Sequence, residues 1–117
     1  MVAPASQVLR RIEEEHSKRR SSALPLLLEM RPRLERAAIE LRRRFGVTQV
    51  WLFGSYARQT PTQRSDVDLA VEGLPAGDHF HAMAYLSDIV ELPVDLVRIE
   101  ELRPIDRRRI LREGVQL

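Results

Sequence analysis

The sequence predicts an α/β (α+β) domain: a small mixed β-sheet of three or more strands, flanked by helices and preceded by an N-terminal helical extension. Three observations support this fold class. Apolar residues recur at spacings of three and four over residues 27–45, a β-branched and aromatic run fills residues 47–53, and polar and apolar residues alternate over residues 66–71. The first pattern is that of an amphipathic helix, and the other two are typical of strands.

The first 45 residues are predicted to be helical, with one interruption. Ser21, Ser22 and Pro25 indicate a break and a new helix start, because serine is a good N-cap and proline is tolerated in a first turn. Pro32 is expected to kink or split the second helix, and Gly46 to end it. The apolar stripe of that helix consists of Leu27, Met30, Leu34, Ala37, Leu41 and Phe45.

The remaining elements follow from the same patterns. The strand over residues 47–53 ends at Gly54, and a turn over residues 59–65 leads to the strand over residues 66–71. Asp78 can cap a helix that runs to about Glu91. A third strand over residues 94–99 and a last helix over residues 104–113 follow. The helix begun at Asp78 is expected to turn inward Phe80, Met83, Ala84, Leu86, Ile89 and Val90.

Composition excludes several classes of site. The chain of 117 residues has no cysteine, so disulfides and thiolate metal sites are excluded. No apolar run approaches the ~20 residues that a membrane span needs, and we expect a cytoplasmic protein. Of the 19 basic residues 18 are arginines; few aromatic residues accompany them, which argues against a specific nucleic-acid surface.

Three acidic residues form the main candidate site. Asp66 and Asp68 are two apart on a predicted strand, so they point to the same face. Paired carboxylates repel unless a cation lies between them, and Mg²⁺ accepts a few carboxylates with phosphate oxygens and water. Asp95 lies within the apolar third strand and would complete a cluster able to hold metals or orient an attacking hydroxyl. A structural aspartate, salt-bridged to Arg98 or Arg103, is the alternative for Asp95.

Gly54 and Ser55 form the second part of the candidate site. Glycine permits close approach of a ligand to the backbone, and Ser55 adds a hydroxyl donor. A helical turn over residues 56–58 would direct amide groups toward phosphate, and Arg58 could add a charge-assisted contact. A chance occurrence of Gly-Ser followed at this spacing by Asp-x-Asp is expected in on the order of one in a thousand chains of this size.

These segments resemble a known signature. Trp51-Leu52-Phe53-Gly54-Ser55-Tyr56-Ala57-Arg58, then Ser65-Asp66-Val67-Asp68-Leu69-Ala70-Val71 and Val94-Asp95-Leu96-Val97, are similar to the polymerase-β-like nucleotidyltransferase superfamily and its minimal (MNT) branch. The resemblance covers about residues 34–117. It implies the fold of that superfamily, a nucleotidyltransferase domain over residues 31–117, and residues 1–30 as the helical extension, which could serve dimerisation, partner docking or packing on its own domain.

The resemblance also implies roles for individual residues. Asp66 and Asp68 would bind Mg²⁺; Asp95 would join them at the metal site and activate the acceptor hydroxyl. Gly54, Ser55, Arg58 and Ser65 would hold the triphosphate of ATP. One departure is Gln59, since many relatives carry glycine after the arginine.

The resemblance finally implies a partner. Minimal MNT proteins act as antitoxins beside a HEPN-type RNase toxin, and are similar to enzymes that move AMP from ATP onto a tyrosine of that toxin (AMPylation). A homo-oligomer, or a hetero-oligomer with the toxin, would fit that biology. The alternative is a non-catalytic antitoxin that neutralises its partner by binding alone; the intact set of aspartates argues against it.

Overall fold

A four-stranded mixed sheet forms the centre of the molecule. The computed structural model describes the backbone over residues 5–117 and side chains over residues 23–117. The strand order is β3-β2-β1-β4; β2 runs antiparallel to β1 and parallel to β3, and β4 adds to the outer edge of β1. The strands are β1 (Gln49–Phe53), β2 (Val67–Glu72), β3 (Val94–Arg98) and β4 (Val115–Gln116). The predicted mixed sheet is confirmed, and the two-residue β4 is an addition that sequence patterns did not indicate.

The helices are α1 (Ala5–Phe45), α2 (Gly54–Ala57), α3 (His79–Val90) and α4 (Pro104–Glu113), with 3-10 turns at Ala76–Asp78 and Ile99–Glu101. The predicted break near Pro25 is wrong, and Pro32 does not split the helix, because α1 continues through both prolines. A single proline removes one helical hydrogen bond; the continuous buried stripe of Met30, Leu34 and Leu41 holds the helix to the core around it. Gly46 does end the helix, with φ of +69°.

Only part of the predicted N-terminal extension can be compared with the structure. The side chains of residues 1–22 lie outside the described residues, and so does the predicted role of that segment in dimerisation, partner docking or packing. The predicted boundary between residues 30 and 31 falls inside α1. Within the described part of the chain, no helix combines the length and the apolar character that a membrane crossing requires.

The two faces of the sheet are covered differently. One face packs against α1 and α3 through Val50, Leu69 and Leu96 and forms the larger core. The opposite face packs against the end of the chain through a small cluster of Trp51, Ala70, Ile99 and Ile110. Strand alternation sends neighbouring residues to opposite faces, so Asp68 and Asp95 emerge on this less covered face.

The helix α3 corrects one sequence expectation. Its buried residues are Ala82, Leu86 and Val90, at the helical spacing of four. Phe80, expected to face inward, is 78% exposed, and Ala84 is exposed as well. Both lie two residues from Ala82, on the opposite side of the helix, so the periodicity of the buried stripe outweighs the apolar character of a single residue.

Candidate active site

Asp68 and Asp95 are direct neighbours in the sheet. The parallel register of β2 and β3 pairs Asp68 with Asp95, and the Val67 amide donates to the carbonyl of Pro93 (3.1 Å) one step before them. On its other side, Asp68 pairs with Phe53 at the end of β1. The structure therefore brings together two of the three predicted carboxylates through backbone pairing alone.

Asp66 lies one residue before β2 begins, with an exposed side chain. Asp68 is half-buried and Asp95 is exposed. Among residues 23–117, no three acidic or histidine side chains converge into a complete cage for a metal ion. Mg²⁺ does not need one, because it commonly takes one or two carboxylates and completes its shell with phosphate oxygens and water. This donor set fits such a partial site.

The electrostatic environment of Asp68 also favours a bound cation. Burial raises the pKa of the Asp68 carboxyl above its ordinary value, the negative charges of Asp95 and Asp66 raise this pKa further, and the positive charge of Arg58 offsets part of the effect. Asp68 therefore lies close enough to Asp95 and to Asp66 for their negative charges to repel its own. A bound divalent cation would relieve this repulsion, since an opposite charge favours ionised carboxylates.

Gly54 forms the bottom of the site. Its φ of +72° lies in the left-handed region that favours glycine. A β-carbon placed there would overlap Oδ2 of Asp68 and lie 2.9 Å from its Cγ. The bare glycine backbone is therefore what leaves room for the Asp68 carboxylate.

The turn after Gly54 is held through its carbonyl groups. The amides of Arg58, Thr60 and Gln59 donate to the carbonyls of Gly54 (3.1 Å), Ser55 (2.9 Å) and Tyr56 (3.2 Å). Amides at the start of a helical turn have no acceptor within that turn. The amides at the start of α2 thus stay candidates for contact with a ligand.

The other predicted ligand-binding residues surround this turn. Ser55 is half-buried within α2, and Arg58 is exposed directly after it. The Ser65 hydroxyl accepts from the Thr62 amide (2.8 Å), which gives it a role in holding the loop before Asp66. Gln59 has φ of +61°, which explains physically why a glycine suits this position.

The structural alternative for Asp95 is not supported. Arg98 pairs with Glu101, and Arg103 pairs with Asp106 at 2.8 Å. No ion pair to Asp95 occurs among the side chains of residues 23–117. Both arginines proposed as partners are thus engaged elsewhere, and Asp95 is left available at the site.

A cavity of about 390 Å³ adjoins the carboxylates on the less covered face of the sheet. Asp95, Gly54 and Arg58 line one side of it, and α4 forms the opposite wall. Sequence reasoning missed this wall. The available signal was the spacing of three and four along α4, which places on one helical face Asp106, Arg109, Ile110 and Glu113.

Comparison with known proteins finds similar sequences over most of the chain. The family model described as polymerase beta, nucleotidyltransferase, matches residues 36–117. The protein adenylyltransferase MntA of Thermococcus cleftensis is 40% identical over 79 residues, which is 65% of this chain and 80% of the relative. A Methanocaldococcus jannaschii protein, given the same activity provisionally in its name, is 40% identical over 60 residues; the match spans 49% of this chain and 61% of that protein.

Solved structures share the fold. A structure described provisionally as a minimal nucleotidyltransferase has 34% identity and a TM-score of 0.69, covering 78% of this chain and 95% of the other. A crystal structure of a toxin–antitoxin with AMP-PNP has 26% identity and a TM-score of 0.62, covering 70% of each chain. In both cases the similarity extends over more than two thirds of the chain.

Proposed function

The chain belongs to the polymerase beta nucleotidyltransferase family, and from that premise we propose that it transfers AMP from ATP to a hydroxyl group of a partner protein. The acceptor we propose is a tyrosine of a HEPN-type RNase toxin, and the chain is its antitoxin. The observation that carries the proposal is the pairing of Asp68 with Asp95 beside Asp66 and above Gly54. This arrangement places carboxylates that could bind a metal ion next to a turn that could bind phosphate.

The proposed roles follow from position. Asp66 and Asp68 would hold Mg²⁺, with Asp95 beside them at the same site. Mg²⁺ would neutralise the phosphate charge and polarise the α-phosphoryl group. The turn at Gly54 and Ser55 receives the triphosphate through amide groups and the serine hydroxyl, with Arg58 at its side and Ser65 maintaining the loop that leads to Asp66.

Asp95 acts on the acceptor. Its carboxylate takes the proton of the tyrosine hydroxyl as the oxygen attacks the α-phosphorus. The new bond joins that oxygen to phosphorus, the bond from the α-phosphorus to the bridging oxygen breaks, and pyrophosphate leaves. The proton then passes from Asp95 to water. A positioned base of this kind contributes about 10²- to 10⁴-fold to a rate.

The comparisons support the substrate and the partner. A relative of which the match covers 80% is named a protein adenylyltransferase. A structural neighbour is a toxin–antitoxin complex with AMP-PNP, an analogue of ATP.

The test uses the complete chain and the protein encoded beside it. The two are mixed with ATP and Mg²⁺, and the partner is weighed by intact-protein mass spectrometry. We expect an added AMP on the partner with the wild type, none with Asp66→Asn, and full addition with Asp88→Asn, a matched aspartate exposed on α3. Binding of the partner without any added mass would contradict the proposal. Neutralisation by the chain with both Asp66 and Asp68 replaced would indicate a binding-only antitoxin.

A further inference from the structure

The cavity next to Asp95 has an apolar lining that residues 23–117 leave partly uncovered. Phe53, Val97 and Leu102 pack only partly against the small core on this face of the sheet, and all three line the cavity. Its volume of about 390 Å³ falls within the range of about 300–1,000 Å³ typical of ligand pockets. It can therefore admit an aromatic side chain with part of its flanking main chain.

Charged side chains surround this apolar lining. Asp95 lines the cavity from the sheet and Arg58 from the turn after Gly54, and α4 contributes Asp106, Arg109 and Glu113. The Nε of Arg109 donates to Glu113 (3.3 Å), with the arginine side chain 68% exposed. An exposed pair of this kind contributes little to stability, so the guanidinium can turn toward a ligand at low cost.

In-line transfer assigns this side of the site to the acceptor. The attacking oxygen and the departing pyrophosphate lie on opposite sides of the reacting phosphorus. Gly54 and Arg58, from the proposed triphosphate turn, line one end of the cavity, and Asp95, the proposed base for the acceptor, lines it between that turn and α4. Ser55, Ser65 and Asp66 do not line it, so the part bounded by α4 is left for the acceptor. A hydroxyl delivered through the cavity reaches Asp95 directly.

We propose that this cavity binds the acceptor tyrosine of the partner and that Arg109 is a residue that determines acceptor specificity. The inference rests on the proposed function. The phenol ring lies on the apolar lining, and its hydroxyl reaches Asp95. The guanidinium of Arg109 stacks on the ring or pairs with the negative charge that develops on the phenol oxygen. Planar guanidinium groups favour such contacts with aromatic rings.

The chain offers a matched control for Arg109. Arg112 lies on the same helix, pairs with the same Glu113 at 3.3 Å, and does not line the cavity. Loss of either arginine removes one exposed ion pair, but only loss of Arg109 changes the proposed acceptor pocket. A second probe, Val97→Phe, fills the cavity from the sheet at a position that is not itself among the proposed triphosphate residues.

The experiment measures KM for the partner protein and KM for ATP with each variant. We expect Arg109→Ala to raise KM for the partner by roughly 3- to 30-fold, the range of a cation–π contact, with KM for ATP unchanged. Arg112→Ala should match the wild type. Val97→Phe should block transfer while ATP binding, measured by calorimetry, persists; its unfolding temperature establishes that it folds.

Other outcomes would overturn the inference. A rise in KM for ATP with Arg109→Ala would place the nucleoside in the cavity instead, and no change in either constant would show that transfer does not use this wall. Absence of transfer by the wild type would overturn the proposed function together with the inference that rests on it, whereas transfer with both constants unchanged in Arg109→Ala would overturn the inference alone. The two failures are therefore distinguishable.

Discussion

The carboxylate of Asp68 fills the position that a β-carbon on Gly54 would take. The two residues belong to a turn and to a neighbouring strand, and Asp68 pairs with Phe53, directly before the glycine. The absence of a side chain at Gly54 is thus what allows Asp68, a candidate metal ligand, to take its position. This relationship gives the first of four predictions.

Gly54→Ala should lower both stability and activity. The left-handed backbone alone costs an alanine about 1–2 kcal/mol, and the added methyl group displaces the Asp68 carboxylate. Gly46→Ala is the control, because Gly46 has a similar φ of +69° with no atom within 4 Å of the added carbon. We expect both variants to unfold at lower temperature but only Gly54→Ala to lose AMP transfer. Equal activity in the two would show that the Asp68 position tolerates displacement.

Asp68→Asn should stabilise the metal-free protein at neutral pH. The pKa of Asp68 is raised in the fold by burial and by Asp95 and Asp66, so the folded state binds a proton more readily than the unfolded state does. Stability from this group is complete below the ordinary value of 3.8 and is lost as pH rises through the raised pKa. The Asp68→Asn variant has no carboxyl group to ionise at this position, so it avoids this loss of stability as pH rises.

Thermal unfolding in EDTA from pH 3 to 8 measures this effect. The advantage of Asp68→Asn over the wild type should grow with pH and disappear in acid. Mg²⁺ should raise the unfolding temperature of the wild type and have little effect on Asp68→Asn. An advantage that does not vary with pH would exclude charge repulsion as its cause.

Asp95→Asn should separate chemistry from nucleotide binding. Because its carboxylate is proposed to take the proton of the acceptor, its loss should lower the transfer rate about 10²- to 10⁴-fold. ATP affinity should change much less, since the turn at Gly54 is intact. Single-turnover transfer and calorimetric ATP binding measure the two quantities. A normal transfer rate would remove Asp95 from the reaction.

Gln59→Gly should stabilise the turn after Arg58. Gln59 holds φ of +61°, which costs a side chain with a β-carbon about 1–2 kcal/mol; the extra freedom of glycine in the unfolded chain offsets about 0.4–1 kcal/mol of this. We therefore expect a net gain of roughly 0.5–1 kcal/mol in the free energy of unfolding. Gln59→Ala keeps the β-carbon and should gain nothing in denaturant unfolding. A gain with alanine equal to that with glycine would assign the effect to the glutamine side chain.

Sequence patterns predicted most elements because those patterns are local. The helix over Pro104–Glu113 was predicted with these bounds, and β1 to β3 within two residues at each end. The errors occurred where packing outweighed a local signal: α1 continues through Pro25, and Phe80 points outward. The two-residue β4 was not predicted because its only support is pairing with β1.

Local patterns in the sequence predict that Asp66 and Asp68 share a face and that a Gly-Ser turn follows a strand, because strand alternation and glycine freedom act over a few residues. In the folded chain Asp66 lies one residue before β2, Asp95 lies beside Asp68, the bare backbone of Gly54 makes room for that carboxylate, and α4 closes a cavity over Asp95. The physical reason is that these contacts depend on strand register and on helix packing between segments distant in the chain, which no local periodicity encodes.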